Sequence, residues 1–575
     1  MKRCPTCNRI ETDNTLVFCR VDGALLTVGP SLVSPDAETV KLGQGPSTSE
    51  RETGNPSPSA AGNRDTAATT VLDQKQTRRN SQKRIGTVLV FSLGGIVVIA
   101  LAAFAYSHWL RGTNRTTKNS IAVLPLVNTN NDASTEYLSD GISEVLINSL
   151  TELRQLKVIA RSTAFRYKGK DVDPQQIGRE LSVETVLMGR VRQFGDNLDV
   201  QVDLVDANTG AQLWGQEYER KVSDLLSVKQ AIAREVAESL KLRLSGEEQH
   251  QLTKRDTTSN ASFQAYLRGR YYWNKRSADG LKRAIEQFQQ ALDADPNYAL
   301  GYVGLADAYI SLEQYAGAPA SDVLPKAKAA LDRALQLDES LSEAHATLGA
   351  LNQKLWLWAE TEPEFKRAIS LNPNYPSAHH WYAYYFYVTR QFDDALREIK
   401  RAHELDPLSP LLSENVSIAY LLKGDLNSAI DQGEKTIALD PSFVDAHYVL
   451  AFAYLKGGRN SEATAEFQKA VDLSNRSGTY LGNLGYCYAV TGKRAEALSI
   501  LKELEDKYKK GQASGLFLAG VYAGLGDKDQ AFAWLEKDFQ QRSGQLPTVA
   551  WRLHFESLRS DQRYADLLRR MGLKP

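Results

Sequence analysis

The chain has 575 residues, which is too long for a single hydrophobic core and predicts several folding units. Its 69 basic side chains balance 69 acidic ones, so neither a polycationic nucleic-acid binder nor an acidic disordered chain is indicated. It has only 4 cysteines, mostly near the N-terminus, which excludes a disulfide framework as the main source of stability.

The first predicted element is a small metal module in residues 1–26. Cys4 with Cys7, and Cys19 with Asp22, have the spacing of two zinc knuckles. Such knuckles place four ligands tetrahedrally around Zn²⁺, and the basic residues nearby favour thiolates. Asp22 is an unusual fourth ligand, although the ending Cys-x2-Asp-Gly resembles that of short bacterial zinc-ribbon heads. We therefore predict one zinc ion, with a redox Cys-x2-Cys motif and a site that has lost its metal as alternatives.

A linker and a membrane segment are predicted next. Residues 27–84 are rich in small and polar side chains and poor in aromatic ones, which is typical of a disordered linker. Residues 85–107 carry no charged side chain, and a helix of this length rises ~1.5 Å per residue and crosses a ~30 Å hydrocarbon core. We predict one transmembrane helix over residues 85–110, with a buried soluble helix as the alternative.

The flanks of this segment predict its orientation. More Lys and Arg precede it than follow it, which favours a cytoplasmic N-terminus. The prediction is a single-pass protein of a bacterial inner membrane, with its C-terminal domains periplasmic or extracytoplasmic. Gly94 and Gly95 allow close contact between two copies of the helix, so a homo-oligomer is left open.

Residues 119–245 show a mixed pattern that predicts an α+β domain, with a mixed sheet on one side and helices on the other. Asp140 and Gly141 fit the start of a helix better than a contact site. Strands are expected over 120–128, 156–161, 183–194, 198–207 and 212–220, and helices over 136–153, 174–181 and 225–244.

Four blocks of this domain carry a resemblance to a known family. The blocks SIAVLPLVN, EYLSDGISEVLINSL, LKVIARSTAFRYKGK and VLMGRVRQFGDNLDVQVDLVDANTGAQLW are similar to the TolB amino-terminal-like domain. In bacterial proteins of that kind the domain often lies between a membrane span and tetratricopeptide repeats. The resemblance therefore implies an envelope-associated bacterial protein.

A period of 34 residues dominates the C-terminal half. It resembles the tetratricopeptide repeat, a pair of antiparallel helices that buries its apolar face only against neighbouring pairs. About eight repeats are predicted over residues 262–542, with a C-terminal helical cap over 543–575. Alanine keeps the period at Ala395, Ala429, Ala463, Ala497 and Ala531, and proline keeps it at Pro373, Pro407 and Pro441.

The first helix of each repeat is predicted to line a concave surface. Aromatic rings with polar tips on that surface suit peptide recognition, although the same side chains could simply pack between repeats. His379, next to His380, is expected to serve helix packing, and Cys487 to act as a small buried hydrophobe. The predicted partner-binding residues are His380, Tyr384, Tyr387, Glu414, Ile418, Tyr448, Phe452, Lys456 and Tyr486.

Together these patterns predict a multidomain, mainly α fold: a tetratricopeptide solenoid, an α+β domain, one transmembrane helix and a small zinc ribbon. The familiar phosphate-loop, kinase, hydrolase and metalloprotease signatures are missing, so no enzyme is predicted. The predicted function is a membrane-anchored scaffold that binds proteins or peptides on the exported side, with nucleic acid not expected as a partner. The alternative is a signal transducer whose external domains control the cytoplasmic zinc ribbon.

Overall fold

The computed structural model describes residues 119–575, apart from residues 131, 133, 255, 256 and 317, together with three short strands near the N-terminus. The chain divides into two compact units, Met1–Thr116 and Thr117–Pro575. In the first unit, strands β1 (Lys2–Arg3), β2 (Ile10–Glu11) and β3 (Thr27–Val28) form an antiparallel sheet in the order β2-β1-β3.

The predicted zinc ligands and the predicted membrane segment both lie outside the described residues. The helices of the described residues include none that is long and apolar enough to span a bilayer.

The second unit opens with a mixed sheet in the order β6-β4-β7-β8-β9, with β5 paired to β7. Strands β6, β4 and β7 run parallel, whereas β7, β8 and β9 form two antiparallel hairpins. The strands are β4 (Ser120–Val123), β5 (Val127–Asn128), β6 (Lys157–Val158), β7 (Thr185–Phe194), β8 (Asn197–Asp206) and β9 (Gln212–Lys221).

Helices cover both faces of this sheet, and not one face as the sequence suggested. Ile121 and Val123 pack towards helices α1 and α4, whereas Ala122 and Leu124 face Ile177 on helix α3. Strand β4 is buried on both faces because it lies between two parallel neighbours, and parallel strands need cover on each side. The helices are α1 (Glu136–Thr151), α2 (Arg161–Ala164), α3 (Pro174–Leu181) and α4 (Leu225–Ser239).

Helix α5 (Gly246–Thr253) leads from the α+β domain into eight antiparallel helix pairs. Sequence-adjacent helices pack on one another throughout, as a solenoid requires. The pairs are α6 (Asn260–Trp273) with α7 (Ala278–Ala294), α8 (Ala299–Ala316) with α9 (Ala320–Leu337), α10 (Ser342–Lys354) with α11 (Trp358–Leu371), α12 (Pro376–Val388) with α13 (Phe392–Leu405), α14 (Pro410–Lys423) with α15 (Leu426–Leu439), α16 (Val444–Lys456) with α17 (Asn460–Leu473), α18 (Gly478–Val490) with α19 (Arg494–Lys509), and α20 (Gly515–Gly524) with α21 (Lys528–Gln540).

The repeat period reflects a small-against-large packing rule. The five periodic alanines on the second helices are fully buried. In the first two pairs, Gly269 and Gly304 pack against the ring of Phe288, and a Cβ on either glycine would lie 2.5 Å from that ring. Small residues therefore let neighbouring helices approach, while one large side chain fills the space between them.

After α21 the chain turns back across the solenoid. Two 3₁₀ turns (Leu546–Ala550 and Leu553–Leu558) and helix α22 (Gln562–Arg570) form what we call the C-terminal segment, residues 546–571. Its far end reaches the third helix pair, where Trp358 Nε1 donates to the carbonyl oxygen of Met571 at 2.7 Å. The segment thus runs from the last pair back to the third.

Candidate protein-binding groove

The turns that end successive repeats form a row of polar contacts with the α+β domain. The side-chain amide of Asn374 donates to the carbonyl oxygens of Thr151, Leu153 and Leu156 at 3.1–3.3 Å. One repeat further on, Asp406 accepts from the Thr163 hydroxyl at 2.6 Å. The Asn-Pro and Asp-Pro turns therefore do more than end helices, because they also fasten the α+β domain to the solenoid.

A buried ionic network joins the same two regions. Glu144 on α1 accepts from Arg270 Nε at 2.7 Å, pairs with Arg161 at 2.8 Å, and is only 3% exposed. Burial raises the pKa of Glu144, but the two guanidinium groups outweigh it and hold that pKa below its ordinary value. Arg270 also contacts Asp307 at 3.2 Å, and burial raises the pKa of Asp307 despite this partner.

Two adjoining cavities of about 220 and 340 Å³ lie beside this network, between the α+β domain and the first helices of pairs one to five. Arg276 lines both cavities, with its guanidinium stacked 3.5 Å above the Trp273 ring and donating to the Ser311 hydroxyl at 3.1 Å. His380, the first predicted partner-binding residue, lines the larger cavity, and burial lowers its pKa to about 4. His380 is therefore a neutral imidazole at ordinary pH.

The remaining predicted residues lie along the first helices α12, α14, α16 and α18, and we call this surface the aromatic groove. It is occupied by the chain's own C-terminal segment. Trp551 packs on Tyr387, with ring centroids 5.7 Å apart. Arg552 lies over Tyr448 and donates to its hydroxyl at 3.3 Å. The interior of the groove therefore contacts polypeptide.

His554 of the segment is buried, at 3% exposure. Its ring lies 4.9 Å from that of Phe452 and 4.6 Å from that of Tyr486. Its Nε2 is 2.8 Å from Asn483 Oδ1, and burial, together with the charge of Arg552, lowers its pKa well below the ordinary value. A neutral imidazole that meets one ring edge-on and a second at a tilt is thus part of how the groove holds the segment.

A buried carboxyl group lies in the same groove. Glu414 is 4% exposed and accepts from the Asn415 side-chain amide at 2.8 Å. Burial, reinforced by the charge of Asp445, raises the pKa of Glu414 well above its usual range, while Arg552 of the segment acts in the opposite direction. The segment therefore presents its arginine to a buried carboxyl group that resists ionisation.

The structure brings eight of the nine predicted residues to this groove and places His380 in the neighbouring cavity. Tyr387, Ile418 and Phe452 are fully covered, at 1, 8 and 3% exposure. Lys456 lies at the margin and pairs with Glu556 of the segment at 2.8 Å. Burial raises the pKa of Tyr384 to about 12.

Sequence reasoning missed the occupant of the groove. Residues 546–558 carry Trp551, His554 and Phe555 within a stretch that lacks the 34-residue period. That aromatic density outside any repeat was the available signal. It indicated a buried contact, but no spacing pattern indicated against which surface.

It also missed three histidine braces. His345, His379 and His447 each lie on a first helix, with Nδ1 2.6–2.7 Å from a glutamate of the paired second helix and Nε2 3.0–3.1 Å from a carbonyl oxygen of the preceding turn. At His447 the acceptors on both sides favour a doubly protonated ring. The hydrogen bond with Glu466 accordingly raises the pKa of His447. His379 thus has a packing role, as the sequence suggested.

Two further features concern metal and thiol chemistry. Within residues 119–575, as far as the structure describes them, no cluster of His, Cys, Asp and Glu side chains is arranged to hold a metal ion. Cys487 is free and fully buried, which confirms its prediction as a small hydrophobe.

Two families match parts of this chain. Residues 117–234 match the second domain of HilA/YgeH-like transcriptional regulators. Residues 417–478 and 448–512 match the tetratricopeptide repeat. The tetratricopeptide prediction is therefore confirmed for the C-terminal region, whereas the TolB-like resemblance of the α+β domain stays a prediction.

Two curated relatives are similar to parts of this chain. A protein of Rhizobium meliloti (strain 1021) named putative adenylate cyclase 3 is 30% identical over 233 residues, which cover 40% of each chain. The transcriptional regulator HilA of Salmonella typhimurium is 27% identical over 138 residues, which cover 24% of this chain and 25% of HilA. The chain thus spans well under half the length of the curated relatives it matches.

Solved structures resemble parts of this chain. Pseudomonas aeruginosa pilF superposes with a TM-score of 0.31 at 19% identity, covering 37% of this chain and 93% of pilF. YrrB, described as a tetratricopeptide protein with an unusual peptide-binding site, gives a TM-score of 0.27 at 22% identity, covering 34% of this chain and 97% of YrrB. These superpositions are too partial to support an argument about function.

Proposed function

We propose that this protein is a non-enzymatic scaffold that binds protein or peptide partners through its solenoid. The single observation behind the proposal is the aromatic groove, which already contacts a length of polypeptide along helices α12 to α20. Trp551 and His554 lie against tyrosine and phenylalanine rings of the groove, and rings with polar tips are enriched where proteins recognise one another. A solenoid distributes such contacts over many repeats.

Photo-crosslinking from the margin of the groove tests this proposal. Lys456 is 41% exposed and borders the groove, so a benzoylphenylalanine placed there reaches a partner without removing a buried side chain. The matched control is the same substitution at Lys435, which is exposed on a second helix. We expect a defined protein to crosslink at Lys456 and not at Lys435, and to bind the purified chain. Equal crosslinking from both positions would contradict the proposal.

The likeness of residues 117–234 to a regulator domain favours a second candidate, a signal transducer. In this version the α+β domain and the solenoid sense a ligand or partner and change the proximity of the N-terminal regions of two copies. Forced dimerisation of the C-terminal unit, followed by measurement of DNA or protein binding by residues 1–26, tests it. Binding that is the same before and after dimerisation would rule the transducer out.

The location and the metal are part of the same proposal. We infer a single membrane helix at residues 85–110, with the solenoid on the exported side of a bacterial inner membrane. We also infer a TolB-like sensing role for residues 119–245 and one Zn²⁺ held by Cys4, Cys7, Cys19 and Asp22. Carbonate extraction of membranes tests the anchor, and zinc analysis of the purified chain against Cys7→Ser tests the metal.

A further inference from the structure

We propose that the aromatic groove is selective for cationic, aromatic peptides, and that residues 546–558 act as an intramolecular stand-in for such a partner. This rests on the scaffold function proposed above and names the chemistry of its partner. The carrying observations are the charge of the groove, its ring contacts, its unpaired polar atoms and the connection that precedes the segment.

Charge complementarity is the first step. Glu414 and Asp445 lie in the groove, and the Tyr480 hydroxyl donates to Asp445 at 2.7 Å. The charge of Arg552 acts on Glu414 from the segment, but Arg552 makes no ion pair within the described residues. Burial disfavours ionisation of Glu414, so the preference for a cationic ligand over an acidic one comes from the Asp445 carboxyl group and from the Tyr448 and Phe517 rings beneath Arg552.

The ring contacts give the second part of the specificity. Trp551 of the segment contacts Tyr387, and the His554 ring lies between those of Phe452 and Tyr486 in edge-on and tilted contacts. Arg552, between these two rings in sequence, lies over Tyr448 at 5.9 Å and over Phe517 at 5.5 Å. The groove therefore accommodates an aromatic residue, an arginine directly after it, and a second ring two residues after the arginine.

The fit of the segment is incomplete, which is the third step. Trp551 Nε1, His554 Nδ1 and Asn483 Nδ2 are buried without a hydrogen-bond partner. Each unpaired polar atom weakens the closed arrangement, because its hydrogen bonds with water are lost and not replaced. Trp551 and His554 leave with the segment, whereas Asn483 stays in the groove, so a partner peptide with a carbonyl oxygen near Asn483 Nδ2 gains a contact that the segment lacks.

The connection that holds the segment is short and exposed. Residues 541–545 join α21 to the first 3₁₀ turn, and a Cβ on Gly544 would meet nothing within 4 Å. A short tether keeps the local concentration of the segment high, so even an imperfect fit fills the groove until a better ligand competes. Cutting the tether removes that advantage without altering the groove.

The test uses the full chain with a protease site inserted after Gly544. After cleavage, a labelled synthetic peptide of residues 545–575 is added in excess, and its uptake is followed by fluorescence anisotropy while circular dichroism reports helix content. We expect the wild-type peptide to bind at temperatures well below the melting of the solenoid. A peptide carrying Arg552→Glu should bind with at least tenfold lower affinity. A matched Asp445→Asn chain should narrow the difference between the two peptides.

Three results would overturn the inference. Uptake only when the helix signal is lost would mean that the segment is a permanent part of the fold. Equal uptake of the wild-type and Arg552→Glu peptides would remove the cationic selectivity. Concentration-dependent dimers of the uncut chain that exchange their segments would assign the groove to a second copy. In each case a partner crosslinked at Lys456 would still support the scaffold function, so the two proposals fail separately.

Discussion

The two halves of the solenoid hold their occupants by different chemistry. Pairs one to four bind the α+β domain through buried charges and through amides that bond to main-chain carbonyls, as at Glu144 and Asn374. Pairs three to eight bind the C-terminal segment largely through tilted and edge-on ring contacts, with three buried polar atoms left unpaired. We therefore expect the first interface to be permanent and, on the inference above, the second to exchange. The difference shows that one repeat architecture supports both a fixed joint and a binding surface.

The largest expected effect concerns the fixed joint. Glu144→Ala leaves Arg161 and Arg270 as buried charges without their carboxylate, which should lower the free energy of unfolding by about 3–5 kcal/mol. Urea unfolding followed by circular dichroism measures this loss. The matched control is Glu536→Ala, which removes an exposed partner of Arg570 and should cost less than about 1 kcal/mol. Equal losses from the two variants would contradict the description of the joint.

A smaller loss is expected at the turn contacts. Asn374→Ala removes the donor to three carbonyl oxygens and should cost about 1–3 kcal/mol, because those buried acceptors are left unsatisfied. Hydrogen exchange should quicken at the C-terminal end of α1 and little in pairs six to eight. The equivalent turn residue Ser442, which bonds only to Asp440 nearby, is the control, and Ser442→Ala should leave exchange in α1 unchanged.

The contact between the C-terminal segment and the aromatic groove should respond differently, with a small change in global stability and a clear local opening. Arg552→Gln removes a charge that faces Glu414 but no ion pair, so the free energy of unfolding should change by less than about 1 kcal/mol. Proteolysis between residues 541 and 558 should nevertheless become faster, since the closed arrangement is weakened. A large global loss with unchanged proteolysis would show that the segment is as permanent as the joint.

The hydrogen bonds of His447 predict that the stability of the fold depends on pH. The pKa of His447 is raised above 6.5, so its stabilisation is complete below pH 6.5 and is lost as pH rises through the folded-state pKa. Lys469 opposes this shift, and Glu466 and the carbonyl oxygen of Pro441 produce it. His447→Gln should therefore cost about 1 kcal/mol near pH 6 and less near pH 9. A cost that is the same at both pH values would refute a charged brace.

Much of the fold was accessible from the sequence because it repeats. Alanine and proline at a fixed period predicted the helix pairs, and alternating apolar residues predicted the strands from β7 to β9. The packing of α3 on the second face of the sheet was not predicted. Strand β4 is apolar on both faces, so its sequence does not indicate which helix packs on which face. Those signals are local, whereas the choice of faces depends on distant packing.

The candidate site was predicted in part. The aromatic stripe on the first helices was identified, but its relation to residues 546–558 was not. That pairing joins Tyr387 to Trp551, far apart in the sequence, and no periodicity encodes such a contact. The role of Asn374 and Asp406 as anchors for the α+β domain was hidden for the same reason. Both residues adjoin a periodic proline, and the end of a repeat already accounted for that turn.

The central claim is that the C-terminal segment occupies a groove from which it can leave while the rest of the fold stays intact. Hydrogen–deuterium exchange on the unmodified full chain, read by mass spectrometry, tests it most directly. We predict that amides of residues 546–558 exchange through local opening, at least tenfold faster than those of α1 and α6, which exchange with global unfolding. Exchange of all three regions at the same slow rate would contradict the claim and make the segment a fixed part of the solenoid.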